Sequence, residues 1–93
     1  MEKFNLNQIN EALKTLSGWS YTHGIIHKDI SFDSYMDGID FINRLALKAE
    51  EENHHPDLTV GWCKVGVTFT THDSGGVTEK DIKMAKAVDS LIK

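Results

Sequence analysis

The sequence has one cysteine, no run of basic residues and no long apolar stretch, and each absence removes a class of function. With Cys63 alone there is no internal disulfide framework, and a reducing compartment is expected. Ten Lys and Arg stand against fourteen Asp and Glu, giving a net charge of −4 and a pI near 5.6. The basic residues are scattered, so they form no patch able to track a nucleic-acid backbone. No apolar run approaches the ~20 residues of a membrane span. The opening Met1-Glu2-Lys3-Phe4-Asn5 lacks the apolar core of a signal peptide. These features describe a cytoplasmic chain with neither nucleic acid nor membrane as partner. Its 93 residues are expected to form one domain, 1–93. A chain this short buries about 60–65% of its unfolded surface, a modest margin that makes association of subunits a reasonable expectation.

What is present is short and regularly punctuated. Asn5 and Gln8 have capping-box spacing, Phe4 and Ile9 stand where a hydrophobic staple would, and Ile9, Ala12, Leu13 and Leu16 follow at helical intervals. This predicts a first helix over about 6–17, ended by Gly18. Trp19 to Thr22 and the alternating residues from Ile25 to Phe32 read as a hairpin around His23-Gly24. Asp33 or Ser34 caps a second helix whose apolar stripe is Tyr35, Met36, Ile39, Ile42, Leu45, Ala46 and Ala49, with Phe41 off the stripe. That helix ends before Pro56, because proline disfavours helical geometry in the residue ahead of it. Leu58, Val60 and Trp62, then Val65, Val67, Phe69 and Thr71, alternate as a second hairpin with Gly61 near its break. Thr78 to Asp81 opens a third helix with capping-box spacing. Two hairpins joined edge to edge give an α+β two-layer sandwich: a four-stranded antiparallel sheet with three helices on one face, in the order αββαββα. The open edges of so small a sheet are natural places for subunits to pair.

The chemistry-bearing residues collect late in the chain. His54 and His55 follow Glu50-Glu51-Glu52, His72 ends the last expected strand, and Asp81 opens the last helix. Imidazole, with an unperturbed pKa of roughly 6.5, suits proton transfer near neutrality. Pro56 favours extended geometry at His55, so His54 and His55 point to opposite sides and serve different purposes. That disfavours a shared metal, since zinc needs three or four convergent ligands. Cys63 sits inside an apparent strand, where a small packing residue is the plain reading. Gly75-Gly76 lacks the GxGxxG spacing of a dinucleotide fingerprint.

Taken jointly, Glu50, His54-His55-Pro56, Trp62, His72 and Asp81 have a spacing that resembles the pterin-4a-carbinolamine dehydratases. Gly18-Trp19 and the run Thr71-His72 to Gly75-Gly76-Val77-Thr78 resemble that family too, and the likeness extends from about residue 5 to 92. Asn53 and Lys80 depart from it, standing where relatives often have an acidic residue and an arginine. The resemblance implies dimers or dimers of dimers, and dehydration of a 4a-hydroxytetrahydropterin without metal or organic cofactor. On that implication His54, His55 and His72 are the catalytic residues: His54 and His72 are the acid–base pair at the 4a-hydroxyl, and His55 binds and orients the pterin and shares the proton traffic. Glu50 and Asp81 orient an imidazole, and Trp19 packs against the ring system.

Each residue also has a plainer role. Asp81 caps a helix, Trp19 belongs to a core, Trp62 packs, and Glu51 and Glu52 lie on a solvated face. His23 and His27 fall in the first hairpin, outside the site. Two other functions remain in view: an interaction module using the wide apolar surface of the second helix, and a metal-dependent hydrolase. Animal members of the family act as dimerisation cofactors for a transcription factor, but nothing in this sequence identifies such a partner.

Overall fold

In the computed structural model, which describes residues 1–92, the chain runs α1 (Leu6–Leu13), β1 (Ser20–Thr22), β2 (Ile25–Ser31), α2 (Tyr35–Glu52), β3 (Asp57–Val60), β4 (Lys64–Phe69) and α3 (Glu79–Ile92). Lys93, the last residue of the expected domain, lies outside the described residues. The sheet order is β1-β2-β4-β3, so the two hairpins join through antiparallel pairing of β2 with β4. This is the expected αββαββα sandwich.

Strand alternation decides which face is covered. Ile26, Ile30, Val65, Val67 and Phe69 face the helices and are buried with Ile9 of α1, Phe41, Leu45 and Ala49 of α2, and Ile82, Met84, Ala85 and Val88 of α3. Lys28 shares this face but carries its ammonium to the edge, 2.8 Å from Asp89. The opposite face is polar. There His27 bridges the Thr68 hydroxyl and the Asp29 carboxylate at 2.7 and 2.9 Å.

Several expected boundaries move for local reasons. Helix α1 stops at Leu13, four residues early, because Thr15 and Leu16 bond three residues back and tighten the chain into a turn. Ser34 is the cap of α2, its hydroxyl accepting from the Asp37 amide at 3.1 Å. Phe41, off the expected stripe, is fully buried, whereas Tyr35 and Met36 of that stripe are exposed. The buried face is centred on Gly38, Phe41, Leu45 and Ala49, a rotation of the helix that brings its largest ring against Phe32. Trp62, expected to pack, stands in the β3–β4 turn with 82% of its surface exposed. Cys63 lies in the same turn rather than inside a strand. Strand β4 ends at Phe69; Thr71 makes only an isolated bridge to Gly76, and His72 begins a single 3₁₀ turn instead of closing the strand.

The end of α2 is the boundary that matters most for function. Asn53 adopts the left-handed conformation (φ 52°, ψ 43°), and its amide bonds back to Glu50. The His54 amide reaches Ala49 at 3.0 Å. Together these bonds make the Schellman closure that satisfies the last helix carbonyls and sets the direction of the next residue. Asparagine tolerates this conformation where a β-branched residue does not. Asn53→Gly should therefore leave thermal stability unchanged or slightly raised, while Asn53→Val should cost about 1–2 kcal/mol. Paired thermal melts check this.

Candidate active site

Once the Schellman turn reverses the chain, His54 is carried under α3. Its Nε2 lies 2.5 Å from Oδ1 of Asp81, which is completely buried at the first turn of that helix. The imidazole stacks on Phe69, with centroids 6.0 Å apart and planes 13° from parallel. Phe69 is backed in turn by Trp19 at 6.1 Å. His54 is thus held by a charged group at one edge and an aromatic floor, with only 12% of its side chain exposed.

The Asp81 carboxylate has more partners than His54. Its Oδ2 accepts from the Thr78 amide and from the Thr71 hydroxyl, each at 2.8 Å. The capping pattern read from the sequence is present in one direction only. Asp81 reaches back to the Thr78 amide, but the Thr78 hydroxyl accepts from Lys80 N–H at 3.2 Å rather than from Asp81. Such donors compensate a buried negative charge that would otherwise be costly to desolvate.

His55 continues in the extended direction that its proline neighbour favours, and its Nε2 meets the Glu50 carboxylate instead. Both members of this pair are exposed, at 53% and 76% of their side chains. The two adjacent histidines therefore engage different carboxylates on different elements, as the opposed directions of neighbouring side chains require. Lys83 of α3 donates to Glu52 of α2 at 2.8 Å, and Lys48, one turn back on α2 itself, reaches the same carboxylate at 3.2 Å. These hydrogen bonds, that of Lys83 foremost, hold the Glu52 carboxyl below its usual range.

A cleft of about 320 Å³ opens where these elements meet, within the range of small-molecule sites. His54, His55 and His72 all line it, with Asn53, Thr70, Asp73 and Lys80 on its rim. The His72 side chain is exposed and has no hydrogen-bond partner among the described residues. A larger groove of about 580 Å³, floored by Phe4, Ala12 and Ile82, brings together neither histidine nor buried carboxylate. Among the described residues, no three His, Cys, Asp or Glu side chains converge as a metal would require.

The structure thus brings together His54, His55, His72, Glu50 and Asp81. Trp19 is the exception. Its ring is buried, its Nε1–H donates to Asp89 at 3.1 Å, and it does not line the cleft. It acts on His54 only from behind, through Phe69. Sequence reasoning missed Phe69, Thr71 and Thr78. A signal for the threonines was present, because an aspartate at the third position of an apolar helix needs more donors than one cap supplies.

Comparison with known proteins follows the same lines. The sequence pattern of the family described as pterin 4 alpha carbinolamine dehydratase matches residues 2–91. A protein of Mycobacterium bovis (strain BCG / Pasteur 1173P2) that carries the provisional name pterin-4-alpha-carbinolamine dehydratase is 43% identical over 84 residues, covering 90% of this chain and 89% of its own. A similarly named protein of Mycobacterium sp. (strain JLS) is 37% identical, with 92% of each chain covered. Among solved structures, a transcriptional coactivator/pterin dehydratase from Brucella melitensis superposes with a TM-score of 0.96 at 33% identity, over 99% of this chain and 100% of that one. A pterin dehydratase-like protein described as a RuBisCO assembly factor in the alpha-carboxysome aligns with a TM-score of 0.66 at 26% identity, over 78% and 84% of the two chains. The match of sequence along nearly the whole chain, on a fold built to the same plan, shows that this chain belongs to the pterin 4 alpha carbinolamine dehydratase family.

Proposed function

We propose that the cleft dehydrates a 4a-hydroxytetrahydropterin to the quinonoid dihydropterin and water, by proton transfer through histidines and without a cofactor. One observation carries this reading: an imidazole paired with a buried carboxylate, His54, shares a small cleft with a second imidazole, His72, that has no partner among the described residues. The reaction breaks the C4a–O bond, and the oxygen leaves as water only if it receives a proton. A ring N–H supplies the electron pair that forms the new C=N bond and gives up its proton. The proton gained by the hydroxyl and the one lost by the ring balance, and proton exchange with solvent then returns the spent acid and the protonated base to their starting states. An acid and a base on one small cleft serve the two ends, each worth on the order of 10²–10⁴ in rate.

In this reading His54 and His72 exchange the protons. His55, oriented by Glu50 at the mouth of the cleft, holds the pterin in place. The turnover belongs to tetrahydropterin recycling in the cytoplasm; no helix among the described residues is long and apolar enough to cross a membrane. No transcription-factor partner forms part of it.

The same reading makes the protein a homodimer or homotetramer. Its support is the unpaired outer edges of β1 and β3, together with exposed Met36 and Leu47 on α2, at 60% and 74% exposure. Exposed apolar side chains grouped on one element are the usual mark of an interface.

Two measurements follow. His54→Ala and His72→Ala should each lower kcat for carbinolamine turnover by roughly 10²-fold or more, with far-ultraviolet circular dichroism unchanged; wild-type rates in either variant would refute the assignment. In sedimentation velocity the wild-type chain should exceed the monomer mass, and Leu47→Glu should shift it toward smaller species. A monomeric wild-type chain would refute the oligomer.

A further inference from the structure

The Thr71 and Thr78 hydroxyls lie 2.8 Å apart, and a hydroxyl has a single proton to give. Thr71 sits 2.8 Å from Asp81 Oδ2, where an ionised carboxylate only accepts, so the Thr71 proton must point there. Thr71 then accepts from Thr78, and Thr78, its own proton spent, accepts the amide proton of Lys80 at 3.2 Å. Every proton in this chain runs one way, from α3 to the carboxylate. With the Thr78 amide also at Oδ2, that oxygen is occupied by donors, and Oδ1 is left for His54.

We propose that Thr71 and Thr78 are positioning residues of the dehydration. Their one-way hydroxyl chain keeps Asp81 an acceptor, so that neutral His54 holds its proton on Nε2 and offers the lone pair of Nδ1 to the substrate. The inference rests on the dehydratase reading and sharpens it. Nδ1 has no protein partner among the described residues, yet no polar side-chain atom there is buried without one, so Nδ1 is open to solvent, and the cleft is the open space that His54 lines. His54 thereby becomes the base that takes the ring proton, and His72 the acid that protonates the leaving hydroxyl. When His54 gains its second proton, the imidazolium faces a carboxylate already held by two other hydrogen bonds. The proton stays on the imidazole instead of passing to Asp81.

Thr71 has a second hold on the site. Its amide donates to Gly76 at 2.9 Å, and its carbonyl accepts from Ser74 and Gly75, which closes the turn that carries His72. One residue therefore registers the base, through Asp81, against the acid, through the backbone. A variant that removes only the hydroxyl separates these two effects.

The test combines ¹⁵N NMR of the histidine rings with the kinetics of two variants. In the wild-type protein above the imidazole titration, His54 should show the Nε2–H tautomer, and the Thr71 hydroxyl proton should be visible and slow to exchange. Thr71→Val should lose that proton and reduce kcat by about tenfold, as for loss of one hydrogen bond to a charged group. KM should stay within twofold, roughly, since the pterin does not bind through Asp81, and the acid limb of the pH profile should move upward as the less compensated carboxylate holds the imidazolium more firmly. Thr71→Ser, which keeps a hydroxyl, should restore the rate, the pH profile and the slow proton. An Nδ1–H tautomer in the wild-type protein, or no slow hydroxyl proton, would overturn the proposal even if Thr71→Val fails to fold. Equal impairment of Thr71→Ser and Thr71→Val would overturn it as well. If the wild-type protein does not turn over the carbinolamine, the dehydratase reading fails, while the tautomer and hydroxyl signals still decide the chain.

Discussion

A carboxylate shut away from water must be met by donors on both oxygens, and Asp81 is met from three directions: His54 after α2, Thr71 after β4, and the amide of Thr78 at the head of α3. Withdrawing one partner from a buried charge of this kind typically costs about 3–5 kcal/mol, a large share of the total stability of a small domain. The three segments therefore close on Asp81 together, and closing them forms the cleft. The contacts that pack these segments are thus the same ones that assemble the site. The rest of the architecture supports that closure: the Schellman turn at Asn53 turns His54 inward, and the Phe69 ring fixes the plane of the imidazole.

The two histidine–carboxylate pairs look alike as sequence but differ in surroundings. His54–Asp81 is nearly dry, with a floor of aromatic rings, while His55–Glu50 stands in solvent. Coulombic attraction is screened in water and strong when water is excluded, so only the inner pair is held rigidly enough to direct a proton. The outer pair suits a binding role, where a mobile side chain does no harm. His72, on a 3₁₀ turn with no partner of its own among the described residues, lines the same cleft.

Much of this was legible in the sequence, and the limits have physical causes. Alternation in the strands and capping residues at the helices placed all seven elements, because each pattern reports a period or a terminus directly. The opposed directions of His54 and His55 followed from Pro56. The partners Glu50 and Asp81 followed from the family resemblance, and the structure seats each against one of the two imidazoles. What escaped were features that depend on rotation and neighbours. Phe41 lay off the expected stripe because a helix that is apolar on two sides has no unique phase, and packing against Phe32 chose one. Trp62 is exposed because a turn interrupted an alternation that looked continuous. Trp19 stands one ring behind the cleft, a depth that spacing along the chain does not encode. Thr71 and Thr78 read as strand and cap; only the meeting of their hydroxyls over Asp81 shows their shared orientation.

The central claim is that an ionised Asp81 makes His54 a directed base in a pterin-dehydrating cleft. Stopped-flow turnover of a 4a-hydroxytetrahydropterin by Asp81→Asn, beside the wild-type protein, tests it most directly. Asparagine keeps the shape of the side chain and removes its charge. The account predicts a folded variant whose kcat falls by roughly 10²–10⁴, against rapid dehydration by the wild-type protein. A folded Asp81→Asn protein that dehydrates the carbinolamine at the wild-type rate would contradict it.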